Sequence, residues 1–319
     1  VYGAIKGLVG SLGDPHSVFL NPEDTERFFE DLSGSFEGVG IEISIRDGLL
    51  TVISPLKNTP AERAGLRAGD KIIKIDDTIT SDITLDEAVR LIRGTGGTTV
   101  VLTILRKGAD RAEDIPVVRD TIIIPVLDWE MIEPGIVHLE LFQFAENTED
   151  ELRNETAKML SDGAERIVLD LRNNHGGLLV SSVRAAEFFL EKDLLVVSER
   201  FSDGRKGSEF YTNRSGPLRG LPLIILVNQG TASAAEILAE AIRVNRGIEL
   251  VGETTFGKGS VQELLNIGSS SLKLTVAEWL TPSGESIHEN GLKPDHEVEF
   301  TEEDFEAERD PQLDRALEI

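Results

Sequence analysis

The chain of 319 residues contains no cysteine. This excludes thiol catalysis, disulfide bonds and cysteine-ligated metal sites, and it is compatible with an oxidising exterior. Long apolar runs are also absent, since the longest, residues 221–227, contains Pro222 and is far too short to span a bilayer. The N-terminus lacks the charged and apolar regions of a signal peptide. Because the chain begins without Met, we expect that any targeting segment was lost with a removed part.

Basic residues are scarce relative to acidic ones. The chain has 32 Lys and Arg against 57 Asp and Glu, which gives a formal net charge of -25. A surface of this sign repels a phosphate backbone, so nucleic acid is excluded as a partner. Apolar residues make up 40% of the chain, which is enough for a sizeable core and two or three domains.

Residues 1–35 predict a polar helical arm that is too short to be a domain alone. Pro22, Glu23 and Asp24 are typical of a helix start, because proline fits the first turn and acidic side chains complement the helix dipole. We expect this arm to pack against another part of the chain.

Residues 36–120 predict a small strand-rich domain with one amphipathic helix. Alternating apolar residues in 41–45 indicate a half-buried strand, and similar segments follow at 49–53, 71–75 and 98–105. Thr84 and Glu87 have the spacing of a capping box at a helix start. The helix they begin places on one face Leu85, Ala88, Val89 and Ile92.

A glycine-rich segment, Gly38-Val-Gly-Ile41, leads into the first of these strands. Its backbone amides are suited to a carboxylate and the strand edge to an extended peptide, although a plain turn is the alternative for so short a pattern. The segment from Ala61 to Asp76 resembles the PDZ signature, with a short helix and a Gly-Asp turn before a central strand. This resemblance implies a groove for C-terminal tails with an apolar last residue, formed by Gly38, Val39, Gly40, Ile41, Ile43, Leu85 and Val89.

Residues 121–319 alternate between strand and helix patterns. Strands are predicted at 135–142, 166–171 and 223–227, and helices at 147–162, 178–190 and 234–243. This order predicts a mostly parallel sheet covered by helices. The polar, glycine-bearing excursion near 194–221 is predicted to be a hairpin or a cap over the sheet.

Ser233 follows the predicted strand 223–227 and precedes a helix. Such a turn presents a hydroxyl at the carboxyl edge of a sheet, where ligands of α/β folds bind, and leaves the amide of Ala234 open to a developing oxyanion. A helix N-cap is the alternative role for this serine. None of the five histidines lies in a run that resembles a triad histidine, and we expect His175 to fill a loop position.

Lys258 is the other candidate base for the serine. A free lysine has a pKa of about 10.4, and lowering it to about 7 requires burial or positive neighbours. We expect Phe256, Gly257 and Gly259 to let the chain pack closely around Lys258, and Gln262 to accept a hydrogen bond from its amine. The alternative is a surface lysine in a glycine-rich turn.

These segments together resemble the C-terminal processing peptidases, also called tail-specific proteases. The run Gly-Thr-Ala-Ser-Ala-Ala-Glu-Ile at 230–237 matches the family's nucleophile motif, and 252–262 matches its lysine motif at the family's spacing. Six further segments are similar to family motifs, namely residues 12–17, 33–41, 171–177, 280–284, 291–295 and 310–314. The resemblance therefore covers nearly the whole chain.

The resemblance implies a crotonase-like or ClpP-like α/β peptidase core with an inserted PDZ domain after the helical arm. It makes Ser233 the nucleophile, Lys258 the general base and Gln262 the residue that orients the lysine. Gly176, preferred over Gly177, joins Ala234 in the oxyanion hole. Arg93 matches a position that couples ligand binding to the dyad, with a helix C-terminal cation as the alternative. The chain departs from the family at three positions: Thr231, Ala235 and His175, the last in place of proline.

The resemblance implies a serine endopeptidase that binds the C-terminal tails of protein substrates and needs no metal or organic cofactor. It further implies an exocytoplasmic setting, a homo-oligomer such as a dimer, and an adaptor or activator protein. A PDZ-based binding or scaffold protein with a resting or inactive core is the alternative. Acyl-CoA chemistry on a crotonase-like core would not explain the PDZ segment or the Lys258 run.

Overall fold

The computed structural model describes residues 1–46, 48–56, 58–106, 109, 111–123, 125–301, 303–304, 307 and 309–319, and only the backbone of 30–33, 82 and 86. The chain forms two compact units. The inserted unit is Ser35–Ile124, and the main unit combines Val1–Gly34 with Pro125–Ile319. No helix of the described part is long and apolar enough to cross a membrane.

The inserted unit is a small antiparallel β-domain. Its first strand, β2 (Ser35–Gly38), pairs with its last, β9 (Asp120–Ile123), as a two-stranded stem. The remaining strands form one sheet in the order β3 (Ile41–Arg46), β4 (Leu49–Pro55), β5 (Lys71–Ile75), β7 (Thr99–Leu105) and β8 (Glu113–Val118), with β6 (Thr78–Ile79) beside β5.

Among the described residues of the inserted unit, two α-helices, α3 (Pro60–Arg63) and α4 (Leu85–Ile92), accompany the strands. The predicted capping box of α4 is confirmed: Thr84 Oγ accepts from the Glu87 amide, and the Glu87 carboxylate accepts from the Thr84 amide at 2.8 Å. Ala88 of α4 packs with Ile72 and Leu102 in an apolar core of this unit. The four strands predicted from alternating apolar residues are confirmed as β3, β4, β5 and β7.

The main unit contains a mostly parallel sheet, as predicted. Only its first pair of strands, β10 (Leu127–Glu133) and β11 (Ile136–Leu141), is antiparallel, and the later pairs are parallel. In spatial order the strands are β10 (Leu127–Glu133), β11 (Ile136–Leu141), β12 (Arg166–Asp170), β15 (Leu223–Val227), β16 (Leu250–Gly252) and β19 (His296–Glu297). In the part of this unit that the structure describes, the helices include α1 (Tyr2–Gly10), α2 (Pro22–Ser33), α5 (Thr148–Ser161), α6 (Leu179–Phe189), α7 (Ala234–Arg246) and α8 (Pro311–Glu318).

Both faces of this sheet are covered, which explains why its central strands are continuously apolar. Leu169 and Ile225 contribute to the large core that includes α6 and α7. Val168 and Ile224 belong to a second cluster on the α8 side, which contains Ala316.

A second, antiparallel sheet was not anticipated from the sequence. Its centre is β18 (Ser270–Leu280), which pairs with β17 (Ser260–Ile267), β1 (Val18–Leu20) and β13 (Leu195–Phe201). The excursion near 194–221 is therefore a hairpin of β13 and β14 (Lys206–Tyr211) within this sheet, not a cap. The N-terminal arm is not purely helical either, because β1 joins the sheet.

Candidate active site

Ser233 lies beyond the carboxyl end of β15, at the N-cap of α7. Its φ is 56° and its ψ is -118°, a conformation that non-glycine residues rarely adopt and that costs about 1–3 kcal/mol. Such strain persists only where the surrounding structure enforces it.

Hydrogen bonds to a neighbouring loop hold the serine turn in place. Thr231 Oγ donates to the carbonyl of Leu171 at 2.8 Å and accepts from the Asn228 amide at 3.0 Å. The Ala232 amide donates to the carbonyl of Asn174 at 2.9 Å. The threonine that departs from the family pattern therefore provides a hydroxyl that anchors this turn.

Lys258 is half-buried and lies two residues before β17. The expectation that Phe256 would pack around it is wrong, because the Phe256 side chain is 61% exposed. The glycines do allow close packing: a Cβ on Gly257 would lie 2.8 Å from the Gly291 amide, and one on Gly259 would lie 2.4 Å from the His288 amide. Residues 288–291 thus pack directly against the lysine segment.

Glu236 joins the serine and lysine segments. One carboxylate oxygen accepts from the amides of Ser233 at 2.8 Å and Lys258 at 3.0 Å, and the other accepts from Thr255 Oγ at 2.5 Å and the Gly257 amide at 2.8 Å. The side chain is fully buried, and burial raises the pKa of this carboxyl although the hydrogen bonds act to lower it. Sequence reasoning missed this role, because an acidic residue in a first helical turn also complements the helix dipole.

The two candidate catalytic side chains are not hydrogen-bonded to each other. Within the described residues, no hydrogen bond joins Ser233 Oγ to Lys258 Nζ, and none joins Lys258 Nζ to Gln262. Gln262 instead donates from its amide nitrogen to Ser260, at 2.7 Å to the hydroxyl and 3.0 Å to the carbonyl. The orienting role of Gln262 stays a prediction.

Gly176 lies against the serine turn. A Cβ there would be 2.9 Å from Ser233 Cβ and 3.0 Å from the Ala234 amide nitrogen, and the glycine has a φ of 98°. Its own amide donates to Asn174 Oδ1 at 2.9 Å. Among the described residues, the amides of Ala234 and Gly177 have no hydrogen-bond acceptor. The predicted pair, Gly176 and Ala234, therefore lies close together, but the Gly176 amide already donates its hydrogen bond to Asn174.

Asn174 is a residue that sequence reasoning did not single out. Its side chain is completely buried, and Nδ2 donates to the carbonyl of Leu141 at 2.6 Å. It connects the end of β11, the glycine pair and the serine turn. The neighbouring His175 is exposed, as expected of a loop residue.

Family comparison places this site in context. A model of peptidase family S41 matches residues 134–298, and a PDZ domain model matches residues 51–106. The chain belongs to peptidase family S41. It is 39% identical over 301 residues to the carboxy-terminal processing protease CtpA of Bacillus subtilis, covering 94% of this chain and 64% of that protein. It is also 39% identical to the carboxy-terminal-processing protease of Bartonella bacilliformis, covering 94% and 69%.

Among solved structures, the chain is similar to a photosystem II D1 C-terminal processing protease, with a TM-score of 0.61 and 29% identity. That match covers 93% of this chain and 81% of the other. The chain spans under two thirds of the length of the Bacillus relative.

The inserted unit, which this family comparison identifies as a PDZ domain, has a groove between β3 and α4. A cavity of about 190 Å³ is lined by the predicted Val39, Gly40, Ile41, Ile43 and Val89, together with Phe36, Ile92 and Arg93. Of the other predicted residues, Gly38 is not part of this lining, and Leu85 packs on the core of the unit.

Arg93, at the C-cap of α4, stacks its guanidinium over the Phe36 ring at 4.3 Å from the centroid. Its predicted coupling role is not tested by this contact, which lies inside the PDZ unit.

A buried charged network joins the middle of β11 to the carboxyl end of β12. His138 Nε2 is 2.9 Å from the Asp170 carboxylate, which also accepts a hydrogen bond from the Arg172 guanidinium. Arg172 donates a further hydrogen bond to the carboxylate of Asp310 at the start of α8. Burial alone would lower the pKa of His138, but the hydrogen bond and charge of Asp170 outweigh it and raise that pKa. Within the described ranges, no three His, Asp or Glu side chains form a group that could hold a metal ion.

Proposed function

We propose that this chain is a serine endopeptidase in which Ser233 is the nucleophile and Lys258 the general base. One observation carries the proposal: the amides of both residues bind the same oxygen of Glu236, which keeps the two backbone nitrogens within about 6 Å of each other. The strained backbone of Ser233 and its place at the carboxyl edge of a parallel sheet support the same roles.

The proposed reaction is acyl transfer. Lys258 takes the hydroxyl proton of Ser233 as the oxygen attacks the scissile carbonyl, and the resulting tetrahedral oxyanion accepts hydrogen bonds from the Ala234 amide and one amide of the glycine pair. Collapse breaks the peptide bond, and the ammonium of Lys258 returns the proton to the leaving amine. Water, deprotonated by Lys258, then hydrolyses the ester and frees Ser233. We assign Gln262 the role of orienting the lysine during these steps.

We propose that the conformation described is a resting one. The Lys258 amine is not hydrogen-bonded to Ser233, and the Gly176 amide is occupied by Asn174. Catalytic hydrogen bonds are often long in unliganded enzymes and tighten with substrate. The same observation favours the second candidate, a PDZ-based binding or scaffold protein whose peptidase core is inactive, so an activity assay has to separate the two.

The substrates proposed are proteins with a free C-terminal tail. A cavity of about 190 Å³ lined by Val39, Ile41, Ile43 and Val89 suits an apolar last residue, and the strand edge of β3 suits an extended peptide. We further propose that Arg93 couples tail binding to the dyad, that the protein works in an exocytoplasmic compartment, and that it acts as a homo-oligomer with an adaptor or activator.

The test is cleavage of a folded reporter protein that carries an unstructured tail with an apolar C-terminal residue. We expect the parent chain to cleave it, Ser233→Ala to lose at least 10³-fold in rate, and Ser208→Ala, an exposed β14 control, to keep full activity. Circular dichroism checks that each variant is folded. Full activity of Ser233→Ala overturns the dyad, and tail binding by a parent chain that does not cleave supports the scaffold function.

A further inference from the structure

A motif that the proposed reaction does not use lies at the start of α8. Residues 310–314 resemble a family motif, and Asp310 caps α8 by accepting a hydrogen bond from the Leu313 amide at 2.9 Å. Asparagine and serine cap helices about as well as aspartate does. The charge of the Asp310 carboxylate is therefore not explained by its capping role.

Both carboxylate oxygens of Asp310 bind Arg172. Nη1 of the guanidinium donates to Oδ1 at 2.9 Å and Nη2 donates to Oδ2 at 2.8 Å, which is the two-bond geometry that joins a guanidinium to a carboxylate most strongly. Nη1 also donates to Oε1 of Gln312 at 3.1 Å. The Gln312 side chain is fully buried and donates from Nε2 to the carbonyl of Val298 at 2.8 Å, so this acceptor is itself held in place.

The rest of the guanidinium is bound by Asp170, at the end of β12. Nε donates to both carboxylate oxygens of Asp170 at 3.0 Å, and Nη2 donates to Oδ2 at 2.6 Å. Together with the bonds to Asp310 and Gln312, every N–H of the guanidinium has an acceptor. The Arg172 side chain is only 14% exposed, and removal of one partner from a buried ion pair is strongly unfavourable. Arg172 therefore has one well-defined position.

The helix that carries Asp310 is fixed on the sheet by apolar packing. Ala316 of α8 is buried in a cluster with Val168 of β12 and Ile224 of β15. A cavity of about 530 Å³ borders the charged network, and Arg172 and Asp310 are part of its lining. Because this side of the network faces a cavity instead of a packed core, the position of the chain after β12 depends on its polar bonds.

The glycine-bearing loop that follows this arginine is bonded to the serine turn. Asn173 and Asn228 are joined by two hydrogen bonds, at 2.9 and 3.0 Å. The carbonyl of Asn174 accepts from the amide of Ala232, in the serine turn, at 2.9 Å. A displacement of the arginine is therefore transmitted to both the serine turn and the glycine pair.

We propose that Asp310 is a positioning residue for catalysis, which acts through Arg172 to hold the loop 173–177 against the serine turn. This inference rests on the proposed function, because it takes the serine turn and the glycine pair as the reaction site. Loss of the Asp310 bonds lets the oxyanion donors move relative to Ser233. A displacement of about 1 Å in an active site can lower a rate about 100-fold.

The first experiment measures kcat and KM of Asp310→Asn on the tail-bearing reporter. Asparagine keeps the cap of α8 but replaces one carboxylate oxygen by an NH₂ group, which cannot accept a hydrogen bond from Arg172. We expect kcat to fall about 10- to 100-fold while KM stays within about twofold of the parent value. Asp314→Asn makes the same charge change at an exposed position of α8 and should keep the parent kcat. An unchanged kcat in Asp310→Asn, or an effect on KM alone, overturns the inference.

A double-mutant cycle tests whether Asp310 acts through Arg172. Arg172→Gln should itself lower kcat, and in that background Asp310→Asn should lower kcat no further, because the partner of the carboxylate is gone. Circular dichroism checks that each variant is folded. A loss of kcat by the same factor in both backgrounds contradicts the proposed coupling.

Hydrogen exchange gives a readout that depends neither on peptidase activity nor on Arg172→Gln being folded. In the Ser233→Ala background, deuterium uptake is followed by mass spectrometry in peptides that cover 171–177 and 228–233. We expect Asp310→Asn to speed exchange of the protected amides in these peptides, such as that of Ala232, by about tenfold or more, and to leave α5 at its parent rate.

The outcomes separate this inference from the proposed function. Unchanged exchange in both peptides, or a similar increase in α5, shows that Asp310 does not hold this loop and overturns the inference. Full cleavage by Ser233→Ala, or no cleavage by the parent chain, overturns the proposed function alone, and the exchange measurement still decides whether Asp310 fixes the loop.

Discussion

The four hydrogen bonds of Glu236 predict that its replacement by glutamine is damaging despite the similar shape. An amide has one acceptor oxygen, so its NH₂ group must face one of two donor pairs. In one orientation the glutamine leaves the amides of Ser233 and Lys258 without an acceptor. In the other it does the same to the Thr255 hydroxyl and the Gly257 amide. Each buried donor left without an acceptor costs about 1–3 kcal/mol, which gives about 2–6 kcal/mol for the pair.

Removal of a buried negative charge offsets part of this cost, since burial already raises the pKa of the carboxyl. We therefore expect Glu236→Gln to lower the free energy of unfolding by about 2–4 kcal/mol. We also expect a loss of about 10²-fold or more in kcat, because small displacements of a nucleophile or base have effects of that order.

Guanidinium unfolding, followed by circular dichroism, measures the stability, and cleavage of the tail-bearing reporter measures kcat. The matched control is Glu240→Gln, one turn later on α7. Glu240 is also buried, but its charged partner is Arg243 at 3.6 Å, and its Oε2 accepts no hydrogen bond within the described residues. If Glu236→Gln and Glu240→Gln lose stability and activity equally, the bridging role of Glu236 is refuted.

Three further predictions follow from the geometry of single residues. Gly176→Ala should lower the peptidase rate at least tenfold, measured on the reporter, because its Cβ would meet the serine turn at 2.8–3.0 Å and its φ is 98°. Gly40→Ala should weaken binding of a fluorescent C-terminal peptide at least tenfold by anisotropy, since its Cβ would lie 2.5 Å from Thr59. The raised pKa of His138 stabilises the fold fully below pH 6.5, and this contribution is lost as pH rises through the folded pKa. Unfolding midpoints of His138→Gln and the parent should therefore converge as pH rises from 5.5 to 9.

Local patterns in the sequence predicted local structure well. The strand at 223–227 matches β15, and the helix begun by Thr84 matches α4. Both depend on signals within a few residues, namely an apolar run and a capping box. The position of Ser233 between a strand and a helix was predicted from the same kind of local signal.

Features that depend on distant partners were missed. The antiparallel sheet requires Val18 to pair with Lys273, and no local signal specifies partners so far apart in the chain. Glu236 is similar, because its function depends on a segment about 20 residues later folding over it. The expectation for Phe256 was wrong because a glycine-rich segment allows close packing without specifying which side it occurs on.

The two-stranded stem of the inserted unit has a consequence for how the chain folds. Ser35 pairs with Ile123, so the insertion enters and leaves at a single place. Once this unit has folded, the two segments of the main unit are separated by a pair of neighbouring residues instead of a loop of roughly 90 residues. The cost of loop closure rises by about 0.6 kcal/mol for each doubling of length. Folding of the insertion shortens the loop between β1 and β18 from roughly 250 to roughly 160 residues, so it makes their pairing easier by about 0.4 kcal/mol. An insertion closed at its base thus adds almost nothing to the loop-closure cost of the unit that it interrupts.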